Sequence, residues 1–108
     1  MDCVFCNIAK GYSPASVRHE SEGLIAFDDL YPKASTHVLI IPREHHEHLD
    51  SWIDAGGSGD EMLQFVTATA VAAGVAGNYR VLTNIGREAG QVIPHLHWHL
   101  MSGDLAAF

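Results

Sequence analysis

The run His95-Leu96-His97-Trp98-His99-Leu100 constrains this chain more than any other stretch. Extended backbone sends successive side chains to opposite faces. If residues 92–101 form the last strand, His95, His97 and His99 share one face, and Leu96, Trp98 and Leu100 share the other. The apolar face asks for a core. The imidazole face is not an ordinary solvated one, which would draw on Thr, Lys, Glu or Arg. Three aligned imidazoles suit a metal, since imidazole is the commonest metal ligand. They also suit acid–base and nucleophilic work on a phosphoryl group.

Composition narrows the partners. Thirteen acids against six Lys and Arg give a formal charge of −7, alongside 8 His. Tracking a phosphate backbone requires Lys and Arg to neutralise phosphates, so nucleic acid is a poor partner. The same deficit argues against an anionic membrane surface. At 108 residues the chain is expected to form a single domain over 1–108. Met1-Asp2-Cys3 carries no basic or apolar leader. The longest apolar stretch, residues 65–75, is interrupted by Thr67, Thr69 and Gly74 and is too short to span a bilayer. The expected location is the cytoplasm.

The remaining pattern reads as α+β: an antiparallel sheet of about five strands with one main helix and a short second helix. Strands are expected at residues 17–20, 24–29, 37–42, 79–84 and 92–101. The main helix is expected over residues 61–76, with Asp60 as its N-cap, Met62, Phe65, Val66 and Thr69 on its buried stripe, and Gly77-Asn78 at its end. Residues 44–52 are polar and compatible with a short helix.

Other chemistry-bearing residues stand in order along the chain. Phe27-Asp28-Asp29 precedes His37-Val38-Leu39-Ile40-Ile41-Pro42. Asn84 ends one strand, and Gly90-Gln91 precedes the three alternate histidines. Taken together, and with the opening Cys3-Val4-Phe5-Cys6, these elements resemble the histidine triad (HIT) family, and in particular its bacterial Hint-type branch. The resemblance runs from Cys3 to Gly103.

It implies a HIT-like fold and a nucleotide hydrolase or transferase. The expected reaction cleaves at the α-phosphate of a nucleoside phosphoramidate or related conjugate, through a covalent nucleotidyl-histidine. His97 matches the nucleophile. His99 and His37 match residues that contact the non-bridging phosphate oxygens. The backbone carbonyl of His95 matches the acceptor that sets the tautomer of His97. Asp29 matches a ribose-binding carboxylate, Phe27 and Leu30 walls around the base, Asn84 an amide near the phosphate, and Gln91 a nucleotide-binding position before the last strand. From the residues alone, Phe27 and Leu30 also read as core, and Asp29 as a turn residue. The resemblance further implies a homodimer paired through the main helix and a central strand to make one continuous sheet. Alternatives are a non-catalytic nucleotide-binding module, a dinucleoside polyphosphate hydrolase, and a catalytic metal enzyme using the histidine face.

Cys3 and Cys6 read in three ways: a redox pair, two buried thiols, or half of a zinc site. The resemblance implies that His45 and His95 complete a structural Cys2His2 zinc site, with no cofactor required for catalysis. His19, His46 and His48 read as surface residues. Two departures from the family pattern stand out. Val92 occupies a position where Hint-type enzymes often carry a Ser that assists the leaving group, and the chain stops at Phe108, without the longer aromatic C-terminal segment.

Overall fold

The computed structural model describes residues 3–105. Five strands, β1 (Val17–Glu20), β2 (Leu24–Asp28), β3 (Thr36–Pro42), β4 (Arg80–Thr83) and β5 (Trp98–Ser102), form one antiparallel sheet in the order β1-β2-β3-β5-β4. Three α-helices accompany it among the described residues: α1 (Val4–Ala9), α2 (Leu49–Asp54) and α3 (Gly59–Ala72). The α+β expectation holds.

Directly paired residues share a sheet face, and the register sorts the strands into two layers. Ala26 lies opposite Ile40 and Val38 opposite Leu100. With Leu24 and Leu96 they form the core beneath Trp52 of α2 and Met62, Phe65, Val66 and Ala70 of α3. On the opposite face Ile25, Phe27, Leu39 and Ile41 pack against Cys3 and Phe5. His99 pairs with Leu39 and His37 with Met101, so both imidazoles emerge on that second face. α1 covers only part of it, and the site occupies the rest.

α3 begins earlier and ends earlier than expected. Ser58, not Asp60, caps it: its hydroxyl accepts from the Glu61 N–H at 3.1 Å. Asp60 and Glu61 sit in the first turn, where a carboxylate favours the helix dipole. At the other end Gly74 takes φ +76°. The Gly74 N–H donates to the Val71 carbonyl at 3.0 Å and the Val75 N–H to that of Ala70 at 2.9 Å. This Schellman closure stops the helix at Ala72, ahead of Gly77-Asn78.

α1 was not evident in the sequence; Cys3 caps it, its Sγ accepting from the Cys6 N–H at 3.4 Å. α2 lies later than the polar stretch at residues 44–52 suggests, because His48 and Ser51 form a reciprocal capping box.

The last strand departs most from expectation. It covers Trp98–Ser102, not residues 92–101. Pro94 has no N–H for a ladder. The His95 N–H instead turns back to the Ile93 carbonyl at 2.9 Å, and that of Leu96 reaches the His46 carbonyl at 2.7 Å. Of the three alternate histidines, only His99 is in the sheet.

Candidate active site

The inward–outward alternation survives the loss of the ladder. Leu96 and Leu100 are fully buried in the helix-covered core. The three imidazoles stay off that side, yet they do not converge on one point. Each is held by a different partner, and the partners divide their work.

His97 is buried, with its Nδ1 2.8 Å from the His95 carbonyl oxygen. A carbonyl can only accept, so Nδ1 carries the proton and Nε2 keeps its lone pair. The ring packs edge-on against Phe5, with centroids 5.1 Å apart. Its own carbonyl accepts from the Thr83 hydroxyl at 2.7 Å, which ties this segment to β4. His97 thus turns its Nε2 away from the His95 carbonyl, on a segment tied to β4 by Thr83.

His99 meets His37 at 2.9 Å, Nδ1 to Nε2. Burial is the main cause that pushes His99 down to about 4, and the neighbouring His97 and His37 act in the same direction. Burial also lowers His37, partly offset by Asp29. Both are therefore neutral near pH 7. The Asp29 Oδ1 accepts from the Tyr31 N–H at 2.9 Å, and its Oδ2 lies 3.4 Å from His37 Nε2. Asp29 is thus a turn residue and a site residue together.

These groups open onto a cavity of about 620 Å³. Val4, Ile8, Phe27 and Leu30 line one part, and Asn84, Val92, His97 and His99 another. Phe27 is both core and wall. Leu30 is 80% exposed and so is not core. Lys33, which the sequence reading passed over, is the only Lys or Arg lining the cavity among the described residues. Phe5 was also passed over; its place between the two cysteines of Cys3-Val4-Phe5-Cys6 was the available signal.

Two expectations change. Gln91 does not line the cavity: its Oε1 accepts from the Gly86 N–H at 2.8 Å and its Nε2 donates to the carbonyls of Glu47 at 2.6 Å and Ile93 at 3.2 Å. It staples the loop before the triad. The three histidines expected at the surface are half-buried, and each has a partner. His19 stacks near Phe65, His46 pairs with Glu44 at 3.1 Å, and His48 caps α2.

His95 turns toward the cysteines. Its Nε2 donates to the Pro42 carbonyl at 2.9 Å, which leaves a lone pair on Nδ1. Cys3 Sγ lies 3.4 Å from that Nδ1 and Cys6 Sγ 3.6 Å, while Cys6 Sγ lies 3.3 Å from His45 Nδ1. All four candidate ligand atoms fall within 4.8 Å of one another. Zn–S of about 2.3 Å and Zn–N of about 2.0–2.1 Å at tetrahedral angles set S···N separations of about 3.6 Å. The donor set fits zinc, and the Pro42 carbonyl is the kind of outer partner that orients a ligating imidazole. Burial lowers His95 to about 4, which keeps it in the neutral form a ligand needs.

With the geometry in view, comparison with known proteins decides the family. The HIT domain model matches residues 10–105. The chain belongs to the HIT family. An adenosine 5'-monophosphoramidase from Schizosaccharomyces pombe is 37% identical to it, over 94% of this chain and 74% of the relative. Among solved structures, a histidine triad protein from Clostridium difficile aligns with a TM-score of 0.87 and 31% identity, covering 100% of this chain and 96% of that one. A HIT family hydrolase from Legionella pneumophila aligns with a TM-score of 0.85 and 32% identity, covering 99% and 97%. Cys3 and Cys6 precede the matched residues, so HIT membership by itself says nothing of the metal cluster.

Proposed function

We propose that this HIT protein hydrolyses a nucleoside phosphoramidate or related nucleotide conjugate of adenosine or guanosine through a nucleotidyl intermediate on His97. The observation that carries the reading is the 2.8 Å contact from His97 Nδ1 to the His95 carbonyl, which frees Nε2 toward the cavity. In the first step the Nε2 lone pair forms a bond to the α-phosphorus while the bond to the leaving group breaks. The imidazole becomes cationic, and its Nδ1–H remains against a carbonyl dipole that stabilises the charge. Val92, at the mouth and 87% exposed, has no proton to offer, so the leaving group takes its proton from solvent. In the second step water attacks phosphorus, the P–N bond to His97 breaks, the ring leaves in its neutral Nδ1–H form, and the water gives up one proton to solvent, balancing the one that the leaving group took. Dividing one displacement into two lowers each barrier.

The substrate is a small molecule in this reading. Asp29 receives the ribose hydroxyls as a double acceptor, and Phe27 and Leu30 flank the base. A chain of charge −7 has to capture an anion locally, and Lys33 with Asn84 stands where that is needed. We place the activity in the cytoplasm, where the thiols of Cys3 and Cys6 stay reduced; no helix among the described residues is long and apolar enough to cross a membrane.

Two assembly features belong to the proposal. Zinc held by Cys3, Cys6, His45 and His95 would clamp α1 to the triad segment as a structural centre. A homodimer would form through α3 and the edge strand β4. Leu63 and Val71, 57% and 68% exposed on the outer face of α3, support that pairing.

The test is rapid quench of the protein with an adenylyl amidate, followed by intact-mass measurement. One nucleotidyl group per chain should appear, and His97→Ala should abolish both the adduct and turnover, with kcat falling at least about 10³-fold. Equal nucleotide binding by wild type and His97→Ala, with no adduct and no turnover in either, would make the protein a binding module instead. A panel with dinucleoside polyphosphates separates the two classes of hydrolase.

A further inference from the structure

We infer that His37 is a positioning residue, not a phosphate ligand: the peptide N–H of Lys33 fixes its tautomer, and it in turn fixes His99 as a hydrogen-bond donor toward the cavity. The partners form a chain with one direction. The Lys33 N–H can only donate, and it lies 3.0 Å from His37 Nδ1. Nδ1 must therefore accept. A neutral imidazole carries one proton, so in His37 it sits on Nε2. That Nε2–H faces His99 Nδ1 at 2.9 Å, nearer than Asp29 Oδ2 at 3.4 Å. His99 Nδ1 accepts in its turn, and the proton of His99 sits on Nε2. This nitrogen has no protein partner among the described residues, and His99 lines the cavity. Burial keeps both rings neutral near pH 7, as the chain of partners requires.

Two neighbouring imidazoles are thereby held in opposite forms. The His95 carbonyl places the His97 proton on Nδ1 and exposes a lone pair. The Lys33 amide, acting through His37, places the His99 proton on Nε2 and exposes an N–H. One ring can attack and the other can only donate. Wrong attack by His99 is closed off without any difference in residue type. His37 spends its N–H inside the protein, so the expectation that it contacts a phosphate oxygen directly gives way to a role through His99. The same orientation speaks against a cation at Asp29, His37 and His99, although their donor atoms also fall within 4.8 Å of one another. Coordination at His37 Nε2 would push its proton to Nδ1, against the Lys33 N–H.

The tautomers belong to the resting protein; only their catalytic use rests on the nucleotidyl-transfer reading. The test is long-range 1H–15N correlation of the histidine rings at pH 7.5, on 15N-histidine-labelled protein without substrate. His99 and His37 should each show a single Nε2–H tautomer and His97 the Nδ1–H tautomer. An Nδ1–H tautomer at His37 or at His99 would overturn the inference. In His37→Phe, His99 should lose its single tautomer and show exchange between the two. A His99 that keeps an unmixed Nε2–H pattern in that variant would remove His37 from the role. Lys33→Ala retains the peptide N–H and should leave all three patterns unchanged; a change at His37 in that variant would assign the effect to the side chain and overturn the part given to the amide. These spectra are read without turnover, so failure of the hydrolysis reading and failure of this one are seen separately.

Discussion

At the residue scale, backbone groups decide what chemically identical side chains can do. His95, His97 and His37 each meet a main-chain partner: the Pro42 carbonyl, the His95 carbonyl and the Lys33 N–H. Those partners decide which nitrogen of each ring is left free, and so sort one residue type into the proposed metal ligand, nucleophile and positioning group. Burial adds a cost that acid reveals. Unfolded, His37 and His99 take up protons near pH 6.5; folded, His99 does so at about 4, and His37 is also lowered. Between those values the unfolded chain binds more protons, so stability rises with pH and falls as pH drops from 6.5 toward 4. The urea midpoint should decline across that window, and by less in His99→Phe; a flat midpoint in wild type would contradict the burial argument. Val92 carries a second expectation. A hydroxyl at the mouth gives the leaving group a nearby proton, so Val92→Ser should raise kcat for amidates by about tenfold or more, measured against a conjugate whose leaving group needs no proton. Equal effects on both conjugates would rule out proton donation.

At the element scale, the strands that carry consistent signals stand where periodicity puts them. β3 nearly matches expectation, because a β-branched run stopped by proline admits few other readings, and β1 also falls at its expected residues although its signal is weaker. The misread boundaries share a cause: a cap depends on which hydroxyl or glycine reaches the end groups, and several candidates stood side by side. Ser58 rather than Asp60 captures the Glu61 N–H. Ser58→Ala should therefore cost about 1 kcal/mol in urea unfolding and Asp60→Ala less; the reverse order would mean that Asp60 is the cap. Gly57, just upstream, passes over the Trp52 indole so closely that a Cβ there would collide with ring carbons. Gly57→Ala should destabilise by about 1–3 kcal/mol, and a neutral result would show that Trp52 can swing aside.

At the scale of the whole molecule, the two sheet faces have different duties. α2 and α3 bury one face and supply most of the core. The other is only partly covered by α1, and that incomplete covering is the cavity. α1 has a single short run of six residues and leans on Cys3 and Phe5, so a metal at the Cys3–Cys6 cluster would act on the site through it. Stripping metal with a chelator should lower the unfolding temperature and raise KM more than it changes kcat, because Val4 and Ile8 of the cavity wall ride on this helix. A metal-free protein with unchanged unfolding temperature and KM would reduce the cluster to buried thiols. Light scattering on the same samples tests whether the proposed α3 pairing forms.

The sequence by itself determined the alternation at residues 95–100, the β3 strand and the buried stripe of α3. These follow from side-chain period and residue type, which are local properties. Only the tertiary structure decided that Pro94 takes His95 and His97 off the ladder, that Gln91 staples a loop, that His19, His46 and His48 have structural partners, and which nitrogen of each imidazole is free. These depend on which carbonyl or N–H from a distant segment arrives within hydrogen-bond reach. Pro42 meets His95 across 53 positions, and no local pattern encodes that meeting.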